Sequence, residues 1–66
     1  MRNNLRVLRA ERKMTQSELA KLSGLSRATV NSIENESVIP NGDTIIKISR
    51  ALGVKADEIF FDLNVV

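Results

Sequence analysis

A chain of 66 residues forms one small domain that buries only about 60% of its unfolded surface, so its core alone leaves it marginally stable. It has neither cysteine nor histidine, which argues against a disulfide framework, a tetrahedral zinc site and most nucleophilic enzyme chemistry. Its 10 basic and 8 acidic residues leave a net charge of +2, too small to name a partner by itself. Oligomerisation is the remaining common staple for so short a chain.

In chain order, the opening "MRNNLRVLRAERK" carries Arg2, Arg6, Arg9, Arg12 and Lys13 against Glu11. It has no continuous apolar stretch, so it does not read as a signal peptide. No apolar run in the chain is long enough to cross a bilayer, and a cytoplasmic protein without a membrane partner is expected. Leu5 and Leu8 start a first helix, with arginines on its other faces. Thr15 followed three residues later by Glu18 predicts a capping box opening "QSELAKLS", with Leu19, Ala20 and Leu22 as the buried side. Gly24 ends this second helix, because glycine takes the left-handed conformation most cheaply.

Ser26 then predicts the cap of a third helix from Arg27 to about Glu34. The stretch "ESVIPNGD" holds the single proline, Pro40, and reads as a loop. Asn41 or Asp43 caps a fourth helix with Ile45, Ile48, Ala51 and Leu52 inward and Gly53 at its end. Asp57 to Phe60 read as a short fifth helical turn. Phe61, Leu63 and Val65 alternate with Asp62 and Asn64, a strand-like tail. The acids Glu36, Asp43, Asp57, Glu58 and Asp62 outnumber Lys47, Arg50 and Lys55 in this half. By charge alone this division reads first as ordinary solvated helix faces. A basic N-terminal part and a mildly acidic C-terminal part also suit one face turned to a polyanion such as DNA and one turned away. The fold class is therefore all-α: five short helices with a short strand-like tail, as one domain over residues 1–66.

Two helices joined by a tight turn with a glycine form a helix-turn-helix, here about residues 15–35. On the third helix Val30 and Ile33 align toward the core. Ala28, Asn31 and Ser32 point away, flanked by Arg27 and Thr29. These groups match base edges: arginine pairs with guanine O6 and N7, asparagine with adenine N6 and N7, a methyl with thymine.

At this point the sequence strongly resembles the Cro/repressor-type helix-turn-helix family, also called the XRE family. The segments "TQSELA", "GLSRATVNSIEN" and "KISRALGV" carry the resemblance, which covers roughly residues 4–60. It implies a fold of four or five helices and operator binding, most often repression. It also implies Arg27, Ala28, Asn31 and Ser32 as base contacts. Gln16, Ser26, Thr29, Asn35 and Lys13 become contacts to the DNA backbone or mixed contacts. Arg9 and Glu34 would pair as a structural ion pair with no direct DNA role. The chain departs from many relatives around Pro40, with Ile39 before it and Asn41 and Gly42 after it. Glu36 likewise stands where relatives often place glycine or lysine.

The resulting expectation is a regulator that binds a palindromic operator in double-stranded DNA as a homodimer, with Phe61, Leu63 and Val65 in the dimer interface. The tail would pair either with residues 1–4 as a small sheet or with its copy in a partner. No catalytic residue, metal, cofactor or small-molecule ligand is expected. Asp57, Glu58 and Asp62 read as exposed acids at a helix start, not a metal cluster. Two alternatives share the fold. A toxin-binding antitoxin usually adds a segment that wraps its toxin, and residues 61–66 are too few for that alone. The control protein of a restriction-modification system would use the same DNA chemistry.

Overall fold

The computed structural model describes residues 2–61. Five helices follow one another: α1 (Leu5–Glu11), α2 (Gln16–Ser23), α3 (Arg27–Glu34), α4 (Gly42–Leu52) and α5 (Ala56–Ile59). They are bracketed by two short strands, β1 (Arg2–Asn3) and β2 (Phe60–Phe61). These pair antiparallel, with Arg2 opposite Phe61 and Asn3 opposite Phe60.

Local chemistry sets the boundaries of the helices. At α2, Thr15 Oγ1 accepts from the Glu18 backbone N–H at 3.0 Å, and Glu18 Oε1 accepts from the Thr15 N–H at 3.0 Å. Both ends of the expected capping box are thus made, satisfying two donors that a helix start leaves orphaned. Gly24 ends α2 at φ +73°, a conformation in which any Cβ would be strained. Ser26 Oγ accepts from the Thr29 N–H at 3.1 Å and opens α3. Of the two candidates for α4, Asn41 is the cap, accepting from the Thr44 N–H at 2.9 Å.

The caps aim the apolar faces at one core of Leu5, Leu19, Ala20, Val30, Ile33, Ile48, Leu52, Ile59 and Phe60. Leu8, Met14, Leu25, Ile45, Ala51 and Val54 pack around it, partly buried. Leu22 corrects the sequence reading, since it is 62% exposed. The buried arc of α2 runs through Leu19, Ala20 and Ser23 instead. Ser23 tolerates burial because its hydroxyl donates to the Leu19 carbonyl at 2.7 Å, which removes the desolvation cost of an unpaired group.

The closing turn also differs slightly from expectation. Phe60 leaves the helix for an extended conformation, buries its ring, and pairs with Asn3. The strand therefore begins one residue before the Phe61 alternation. Of the expected interface residues, Phe61 is 39% exposed, whereas Leu63 and Val65 lie outside the described residues.

Candidate nucleic-acid interface

The candidate face is built where α2 meets α3. Leu25 follows Gly24 and donates its N–H to the Ala20 carbonyl at 2.9 Å, folding the chain back tightly enough for Ser26 to start α3. Val30 and Ile33 are buried at 0% and 1% exposure. With those two fixed inward, a turn of about 100° per residue leaves Arg27, Ala28 and Asn31 outward, and all three are exposed. Together with Gln16 they line an open concave depression. Ser32 belongs to the same side but is half-buried, and its carbonyl accepts from the Ser37 hydroxyl at 3.0 Å.

The flanking residues are placed as follows. Ser26 is exposed and Thr29 half-buried, and their hydroxyls lie 2.9 Å apart. Asn35 is the exposed C-cap of α3, its N–H donating to the Asn31 carbonyl at 3.0 Å. Lys13 is exposed in the turn between α1 and α2, with φ +52°.

Behind this face lies a charged network. Glu34, whose side chain is 1% exposed, receives both Nε and Nη2 of Arg9, the latter at 2.9 Å. Arg9 Nη1 donates to the Met14 carbonyl at 2.8 Å. Burial by itself would push the Glu34 carboxyl up. Hydrogen bonds from Arg9 and Gln16, with the charges of Arg9 and Arg6, outweigh it and hold the carboxyl below its ordinary value. The bond to Glu34 raises Arg9 despite partial burial. Arg6 Nε stands 3.8 Å from Glu34 Oε1, on the same side of α1 as Arg9 because the two are three residues apart.

Gln16 joins this network to the outer face. Its Nε2 donates to Glu34 Oε1 at 3.2 Å and to Asn31 Oδ1 at 3.2 Å. Sequence reasoning missed that bridge, and it missed Asn3 as well. The Asn3 Nδ2 donates to the Ile33 carbonyl at 2.8 Å, tying β1 to the end of α3. Neither contact has a sequence signal, because each depends on how distant elements pack.

A capped helix pair with a glycine turn, whose second helix turns short polar side chains outward from an apolar base, defines a helix-turn-helix DNA-binding module. Comparison with known proteins agrees. Residues 5–59 match the helix-turn-helix family, and the chain belongs to that family, of the XRE type. It is 40% identical over 60 residues to an uncharacterized HTH-type transcriptional regulator of Methanocaldococcus jannaschii, covering 91% of each chain. It is also 40% identical over 58 residues to the transcriptional repressor RghR of Bacillus subtilis, covering 86% of this chain and 43% of RghR.

Among solved structures, the restriction-modification controller protein C.AhdI from Aeromonas hydrophila superposes with a TM-score of 0.80 at 36% identity, over 85% of both chains. The P22 c2 repressor in complex with a synthetic operator superposes at 0.74 and 31% identity, over 79% of both. The protein is a DNA-binding regulator of the helix-turn-helix class, not an enzyme. Among the described residues no acidic cluster could hold a metal, and no helix is long and apolar enough to cross a membrane.

Proposed function

We propose that the protein is a transcriptional repressor that binds a palindromic operator as a homodimer, with α3 of each copy in the major groove. The observation that carries this reading is the outward row of Arg27, Ala28 and Asn31 beside Gln16. Arg27 and Asn31 discriminate bases, Ala28 offers a methyl to thymine, and Ser32 lies at the edge of the row. Gln16, Ser26, Thr29, Asn35 and Lys13 set the register on the sugar-phosphate backbone or make mixed contacts. Arg9 and Glu34 hold the helices that present this row.

Pairing of two copies is supported by the exposed ring of Phe61 at the end of the two-stranded sheet, and by the alternation of Leu63 and Val65 after it in sequence. A two-fold arrangement would set the recognition helices about 34 Å apart, one helical turn of DNA. A monomeric mass at micromolar concentration, unchanged by adding DNA, would rule the dimer out. The likeness to C.AhdI favours a second reading, control of a restriction-modification operon, in which the same face reads DNA.

Selection of bound duplexes from a random pool tests the proposal. The expected product is a pair of inverted half-sites whose centres lie about 10 base pairs apart. Recovery of sequences without a shared motif would overturn it.

A further inference from the structure

We infer that Glu34 sets the hydrogen-bonding polarity of the recognition face: through Gln16 it turns the Asn31 amide so that Asn31 offers a donor to the groove. The inference rests on the reading of α3 as the recognition helix and specifies which base it selects.

The chain of constraint starts in the protein interior. An ionised carboxylate can only accept hydrogen bonds, and Glu34 is held ionised by its bonds to Arg9. Gln16 must therefore face it with Nε2, at 3.2 Å. The second N–H of that nitrogen is directed to Asn31 at 3.2 Å, and a donor requires an acceptor there. Asn31 thus turns Oδ1 toward Gln16 and leaves Nδ2 outward. Gln16 in turn has both donors engaged, so of the mixed contacts proposed for it the free Oε1 favours one to a base amino group.

This alters what Asn31 reads. An unconstrained asparagine pairs with adenine through both amide atoms, accepting from N6 and donating to N7. With Oδ1 turned toward Gln16, the group that leads into the groove is the Nδ2 donor. Guanine offers it two acceptors, N7 and O6. Thymine offers the single acceptor O4 beside its methyl, adenine offers N7 beside a competing amino group, and cytosine meets it with a donor. The base opposite Asn31 is guanine, with cytosine the most strongly rejected.

Two measurements test this. The first needs no DNA: hydrogen exchange of the side-chain amide protons, followed by NMR in the free protein. The Gln16 amide protons are expected to be protected and those of Asn31 to exchange freely. The variant Gln16→Met removes the bridge but leaves Arg9 and Glu34 paired. Protected Asn31 protons with unprotected Gln16 protons would overturn the inference.

The second titrates all four base pairs at the position where Asn31→Ala abolishes discrimination. The wild-type protein should prefer guanine to adenine there. Gln16→Met should move the guanine-to-adenine ratio roughly tenfold toward adenine, about the value of one recovered base contact. Glu34→Gln should move it the same way, and if that variant does not fold, Gln16→Met decides alone. A preference for adenine in the wild type, unchanged in Gln16→Met, would overturn the inference. A failed duplex selection would instead count against the DNA-reading role, and the exchange measurement would still decide the amide polarity.

Discussion

The Arg9 guanidinium grips both oxygens of the Glu34 carboxylate and, with its remaining nitrogen, the Met14 carbonyl. One side chain of α1 thereby fixes the last turn of α3 and the entry to α2. The fork geometry of arginine suits this, since lysine could not make two parallel bonds to the carboxylate and a third to a carbonyl. The pair sits behind the outward row of α3, so unfolding measured without DNA isolates its contribution to stability from its effect on that row.

Arg9→Ala strands Glu34 in a site where its side chain is 1% exposed. Breaking a buried pair from one side costs about 3–5 kcal/mol. Gln16 and the exposed Arg6 remain beside the carboxylate, which places the expected cost near 3 kcal/mol on that scale. For a domain of this size the melting temperature should fall by roughly 12–24 °C. Thermal unfolding without DNA checks it. An unchanged transition with weakened DNA binding would make Arg9 a DNA contact instead.

The same pair gives stability a pH dependence of definite sign. The folded Glu34 carboxyl lies below its ordinary value of 4.5, and Glu18 is lowered too by its bonds to Thr15. Each contribution is complete above the unfolded value. It disappears as pH falls through the lower, folded value, because the unfolded chain takes up protons first. Urea midpoints should therefore be level above about pH 6 and decline steadily below about pH 4.5. In Glu34→Gln the neutral-pH midpoint should be lower and the acid decline shallower. A wild-type midpoint constant down to about pH 3 would contradict the assignment.

How far the sequence disclosed this arrangement depended on the range of each interaction. Thr15 with Glu18, Gly24, Ser26 and Gly53 act within one turn of chain, and each stands where the sequence placed it. The inward Val30 and Ile33 followed from helical period alone. Leu22 failed because three apolar residues in α2 admit more than one buried arc, and only the packing of α4 and α3 against α2 chooses Ser23. The Arg9 and Glu34 pair, 25 residues apart, was legible through family resemblance and not through local chemistry. The Gln16 bridge was not legible at all, since it depends on the angle between α2 and α3.

Glu36 follows α3 with φ +61°, where a side chain crowds the backbone at a cost of roughly 1–2 kcal/mol. Its carboxylate recovers part of this by accepting from the exposed Asn3 N–H at 3.3 Å, a weak contact. Glu36→Gly should raise stability by about 0.5 kcal/mol, the relieved strain offset by the greater freedom of glycine in the unfolded chain. Chemical denaturation with a fixed m-value checks it. A loss of stability would show that the tie between Asn3 and Glu36 outweighs the strain.

The contrast between Arg27 and Lys13 separates reading from clamping. Arg27 is exposed in the row with Ala28 and Asn31, whereas Lys13 is exposed in the turn before α2. A bidentate arginine to guanine is worth about 1–3 kcal/mol against a wrong base. Arg27→Ala should thus weaken binding to the selected duplex roughly ten- to hundredfold and leave a scrambled duplex little affected. Lys13→Ala should weaken both duplexes alike, because phosphate carries no sequence information. Losing one phosphate contact should also flatten the dependence of log affinity on log salt by about one unit. Asn35→Ala should weaken both duplexes without changing the slope, since an uncharged side chain releases no counterion. Titrations of the three variants against both duplexes at two salt concentrations give all of these values. If Arg27→Ala instead loses affinity equally for both duplexes and flattens the slope, Arg27 is the clamp. Discrimination would then fall to Asn31, Ala28, Thr29 and Ser32, or to the shape of the DNA itself.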